Sequence, residues 1–170
     1  MRQMRSVVSL MLAVGMCLLL VAPATAQAPG PLPADIYGPI AKGYDLILDG
    51  KYDAAAEQFK KATQKDKNNP FALNNLAAIE SQKGNYKEAM ALLQQALPQA
   101  ENYKDKVAQT CFVAGLCNAV KPKKELGATS TIAPIIKENI DKLKPKIEAM
   151  APKPAAPPAM DVKKPQEKGK

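Results

Sequence analysis

The chain has 170 residues, with 24 Lys+Arg against 16 Asp+Glu, three Cys, and neither His nor Trp. That length allows one domain or two small ones. Without His, the usual general base, the Ser-His and Cys-His pairs and the commonest zinc ligand are all missing. A binding protein is expected rather than an enzyme, with no cofactor and no metal.

Residues 1–26 have the layout of an export signal. Arg2 and Arg5 precede an uncharged run from Val7 to Ala22, and Ala24-Thr25-Ala26 offers small residues for cleavage. The run is shorter than the roughly 20 apolar residues of a membrane-spanning helix and stops at Pro23. Gly15-Met16 makes a poor lipobox for Cys17, which is expected to leave with the signal. A periplasmic or secreted product with no integral span after cleavage follows. The remainder, 27–170, keeps 22 Lys and no Arg, for a net charge of +6. Arg is the preferred residue for bidentate phosphate and base-edge contacts, so no nucleic-acid partner is expected. Residues 27–34 are expected to form a disordered linker. Residues 151–170 carry five Lys and five Pro with few apolar side chains, and are expected to form a disordered tail. One body, 35–150, remains.

That body repeats itself. GKYDAAAEQFKKA (50–62) aligns without a gap on GNYKEAMALLQQA (84–96), at an offset of 34. Gly50/Gly84, Tyr52/Tyr86, Ala55/Ala89 and Ala62/Ala96 are identical, and Phe59 faces Leu93. Spacings of three and four put the apolar members on one helical face. Asn69-Pro70 suits an N-cap followed by N1, and Lys83-Gly84 a last-turn cation followed by a C′ glycine. Helices are predicted at about 35–48, 53–67, 70–83 and 87–99. Residues 103–119 are read as a further helix, through Val107, Cys111 and Ala114. The last helix, about 131–150, carries a stripe of Ile136, Ile140, Leu143, Ile147 and Met150, interrupted by Pro145.

The period and its positions resemble the tetratricopeptide repeat family. Its turn Gly, following Tyr, Ala-x3-Phe and final Ala match Gly50, Tyr52, Ala55, Phe59 and Ala62. The second unit matches with Gly84, Tyr86, Ala89, Leu93 and Ala96, preceded by Leu76-Ala77. The chain departs from the pattern at the early Trp position (Pro39, Leu73) and at the Tyr of the first helix (Leu46, Glu80). The resemblance covers about 36–103 and implies an all-α, short helical solenoid. It would have two clear helix–turn–helix repeats, a partial third (its first helix at 103–119) and a C-terminal capping helix. It also implies a concave groove lined by the first helix of each repeat. Carried over by position, the groove residues are Tyr37, Ile40, Ala41, Tyr44 and Leu48, then Phe71, Asn74, Asn75, Ala78 and Gln82, then Ala108, Gln109 and Phe112. Amides there could bond the backbone of an extended peptide while aromatics supply contact area. No cation occupies these positions, so the family's carboxylate clamp is not expected.

Cys111 and Cys117 are the only thiols after the signal. On one straight helix six residues rise about 9 Å, so a disulfide would need the helix to break near Gly115. A bridge, two buried thiols and a redox role all stay open. The carboxylate pairs Asp49/Asp53 and Glu138/Asp141 lie among lysines and are read as solvated surface. The expected function is that of an exported adaptor or scaffold holding a peptide or helix of another envelope protein in its groove. The alternative is an electrostatic tether, the lysine-rich tail holding the body on an anionic envelope surface.

Overall fold

The computed structural model describes residues 31–150 apart from 112–117. Residues 1–26, read above as an export signal with Cys17 in it, lie outside the described residues, as do Phe112, Cys117 and residues 151–170. The element order is α1 (Ala34–Leu48), α2 (Tyr52–Lys65), α3 (Pro70–Gln82), α4 (Tyr86–Ala100), β1 (Asp105–Cys111), β2 (Asn118–Leu126) and α5 (Ile132–Ala149). The four repeat helices stand where the sequence places them, each within two residues of its predicted ends.

Helix α1 packs against α2 and α3 against α4, and the second pair stacks on the first through α2 and α3. The small-large-small faces make the seams: Ala55, Phe59, Ala62, Ala89, Leu93 and Ala96 are all fully buried. Gly43 permits the closest approach, since a Cβ there would come within 2.5 Å of the Phe59 ring. Both turns close as Schellman motifs. Gly50 N–H bonds the Ile47 carbonyl and Lys51 N–H bonds that of Leu46. Gly84 and Asn85 repeat the pattern on Ser81 and Glu80. The two glycines sit at φ +73° and +83°, in the left-handed region that a Cβ disfavours. Asn69 caps α3 as predicted, its Oδ1 accepting from Ala72 N–H at 3.1 Å.

The segment expected to form the first helix of a third repeat, 103–119, is not helical in the residues described. Residues 105–111 and 118–126 form two antiparallel strands, with Cys111 opposite Asn118, Gln109 opposite Val120 and Val107 opposite Pro122. Apolar residues at 107, 111 and 114 satisfy helical spacing, but long-range pairing prevails over that local pattern. The hairpin lies across α3 and α1.

Helix α5 is the element that continues the array. It leans mainly on α4 and lightly on α3, as α3 leans on α2 and α1. Ser130 Oγ accepts from Ala133 N–H at 3.1 Å, reproducing the Asn69–Ala72 bond. Ser130 follows Asn69 by 61 residues, the 34-residue period plus 27. The repeat therefore resumes after an insertion, and the insertion is the hairpin. The buried face of α5 is Ile132, Ile135, Ile136, Asn139 and Leu143; Ile140 and Ile147 pack at its margin and Met150 is exposed. Among the described residues no helix is long and apolar enough to cross a membrane.

A candidate binding groove held by three asparagines

Asn74 and Asn75 sit mid-helix in ALNNLAA, where unpaired amides would each cost about 1–3 kcal/mol on burial. Both are fully buried, as is Asn139. Counted from the common capping bond, Asn139 takes in α5 the place that Ala78 takes in α3. The three amides converge on β2. Asn75 Nδ2 donates to the Val120 carbonyl at 2.7 Å, and Asn75 Oδ1 accepts from Val120 N–H at 2.7 Å. Asn74 Nδ2 donates to the Asn118 carbonyl at 2.8 Å. Asn139 Oδ1 accepts from Asn118 N–H at 3.1 Å, and its Nδ2 donates to Asn74 Oδ1 at 2.8 Å. A side-chain amide carries a donor and an acceptor side by side, as a peptide unit does. The asparagines thus pair with β2 as a neighbouring strand would. Ala119 and Val120 are buried in the same contact.

The far half of β2 leaves the groove over α1. Lys121 Nζ bonds Asp45 Oδ1 at 2.9 Å and lies 5.9 Å from the centre of the Tyr44 ring. Lys124 Nζ stands 5.3 Å from the ring of Tyr37. Both distances fit a cation facing an aromatic ring. Burial pushes the Tyr44 phenol up from its usual value and Asp45 adds to it, while Lys121 pulls it down.

The predicted groove residues separate accordingly. Tyr37, Tyr44, Asn74 and Asn75 meet β2. Ala78 is buried and Gln82 exposed. Phe71 belongs to the core, its ring edge-on to Tyr103 with centroids 5.8 Å apart. Ile40 is also core, and Leu48 is 60% exposed. Gln109 is on β1, exposed and away from the helices, and Phe112 lies outside the described residues. Helical rise no longer bears on Cys111 and Cys117, since Cys111 ends a strand. Sequence reasoning missed Asn139. It follows Ile132, Ile135 and Ile136 at helical spacing and precedes Leu143 by four, which marks it as a polar residue on an apolar face.

At the hairpin base, Asp105 is 2% exposed, with Leu32 N–H directed at its Oδ1 at 3.4 Å. Burial raises its carboxyl above the usual value, and bonds from backbone N–H groups oppose that. Tyr103 O–H donates to Asp66, and burial together with that carboxylate raises the phenol far above its normal range. The carboxylates Asp49, Asp53, Glu138 and Asp141 all form exposed ion pairs, with Lys51, Lys83, Lys142 and Lys144.

The tetratricopeptide repeat family model matches residues 46–110. No curated protein and no solved structure matches the chain. Repeats of this kind generally mediate protein–protein interaction and are typically non-catalytic scaffolds. Over residues 46–110, the chain is similar to the tetratricopeptide repeat family.

Proposed function

We propose that the protein is an exported interaction adaptor whose groove holds an extended strand in cis, and that its partner meets it with the hairpin docked. The supporting observation is the asparagine cluster on β2. These amides read main chain, the task the resemblance assigns to groove residues, and the main chain they read is the protein's own. A partner segment in the groove would have to expel Ala119 and Val120 and break the network of bonds at Asn74, Asn75 and Asn139. Export rests on the sequence of residues 1–26.

The test compares wild type, Asn75→Ala and Val120→Asp for capture of envelope proteins after a high-salt wash. Amide exchange at Val120 reports docking. Asn75→Ala strands the buried N–H and carbonyl of Val120 and should cost about 2–3 kcal/mol, measured by denaturant unfolding. Docked-hairpin binding predicts that both variants lose the partner. Stronger capture by Val120→Asp, abolished when Asn75→Ala is added, would move the partner into the groove. Capture that ignores both substitutions and vanishes with salt would point to the lysine-rich tail, because exposed charges are screened within about 10 Å at 0.1 M.

A further inference from the structure

In an antiparallel pair, opposite residues alternate between bonding one another and turning both backbone groups away. Val120 gives its N–H and carbonyl to Asn75, so it is an outward-facing position, and so is Gln109 opposite it. The same phase makes Asn118 and Pro122 outward-facing on β2, and Cys111 and Val107 outward-facing on β1. The two edges of the hairpin differ. On β2, Asn74 and Asn139 satisfy Asn118, Asn75 satisfies Val120, and Pro122 has no N–H to offer. On β1, no hydrogen bond reaches the outward backbone groups of Val107 or Gln109 among the described residues. Helix α5 also contacts β1, and Thr131, just before it, donates through Oγ1 to the Asp105 carbonyl at 2.6 Å at the start of the strand. Among the described residues the edge is open from Val107 to Gln109, over about 7 Å.

Open edges template strand pairing, and folded proteins usually blunt them with Pro, a bulge, charge or a covering element. Here the irregularity lies between Asp105 and Val107, at the base, and among the described residues none of these devices blunts the edge at Val107 and Gln109. The base is also where the cations gather. Residues 104–126 carry Lys104, Lys106, Lys121, Lys123 and Lys124 against Asp105 and Glu125, a net charge of +3. Lys106 pairs with Glu125 and Lys121 with Asp45, while Lys104, Lys123 and Lys124 have no ion pair among the described residues. A second copy would set one +3 hairpin against another.

We propose that the outer edge of β1 is a strand-addition site for an extended segment of a partner protein with acidic residues at one end. Main-chain bonds to Val107 and Gln109 would hold it, and its acidic end would lie at the lysines of the hairpin base. The proposal rests on the hairpin staying docked.

The test uses the full chain and two short synthetic peptides of alternating Thr and Val, one headed by two Glu and one by two Lys. Binding is followed by anisotropy and residue-resolved amide exchange. The acidic peptide should protect Val107 and Gln109 N–H, leave Val120 protected, and bind better than the basic one. Gln109→Pro removes only an outward N–H, so it should keep helical content and Val120 protection while binding about tenfold more weakly. Lys123→Glu, at an exposed site, should weaken the acidic peptide without any change to the backbone. No protection at millimolar peptide, equal binding by Gln109→Pro, or equal binding of both peptides overturns the proposal and leaves the docked hairpin standing. Concentration-dependent protection without peptide overturns it in favour of a second copy. Faster exchange at Val120 on peptide addition would overturn both readings, because the peptide would then have taken the groove.

Discussion

Asp105 is a carboxylate that the fold holds away from water. It is 2% exposed, and Leu32 N–H approaches it from the chain just before α1. Burial raises its pKa in the folded protein above the ordinary 3.8. Between 3.8 and that raised value the native state binds the proton more tightly than the unfolded chain. The residue's contribution to stability therefore falls as pH rises through this window, and its penalty is complete at neutral pH. Asp105→Asn keeps an acceptor for Leu32 and removes the charge. It should raise Tm at pH 7, with the gain fading as the solution is acidified towards 3.8. Thermal melts of the two proteins at several pH values check this, and a difference that does not change with pH would remove burial of the charge as its cause.

At the scale of elements, the two Schellman turns fix where each helix pair reverses. Gly84 stands at φ +83°, and a Cβ added there would meet nothing within 4 Å, so Gly84→Ala brings backbone strain and no clash. It should cost about 1–2 kcal/mol. Gly38 lies inside α1 with equally open surroundings and no positive φ. Gly38→Ala should change stability less, because the gain in helix propensity is opposed only by the clash of a Cβ with the ring of Pro39 that follows. Denaturant unfolding of the two variants measures how much of the cost at Gly84 comes from its positive φ. These turns were legible in the sequence because Gly50 and Gly84 punctuate an unbroken period and each helix shows its apolar face locally. The hairpin was not. Val107 and Cys111 are four apart and fit a helix as well as a strand, and what decides between them is Val120 meeting Asn75, 45 residues away. Asn74 and Asn75 could be marked as groove amides from their positions, whereas their occupant could not. Asn139 stayed hidden because an insertion separates α5 from the period that would have aligned it with α3.

At the scale of the whole molecule, stacked repeats ordinarily touch only their neighbours, so their stability is close to a sum of local terms and an end can melt by itself. The hairpin changes that arithmetic. β2 is tied to α1 by Lys121 and Asp45, to α3 by Asn74 and Asn75, and to α5 by Asn139. One strand thereby joins three successive repeats, including two that are not adjacent. Unfolding should follow a single transition, with helical signal by circular dichroism and the Tyr44 and Tyr103 environments by tyrosine absorbance lost together. In Asn75→Ala the two probes should separate and the denaturant slope should fall. A chain built as a row of semi-independent units would then behave as one cooperative body, with its terminal repeats unable to fray without releasing the middle one.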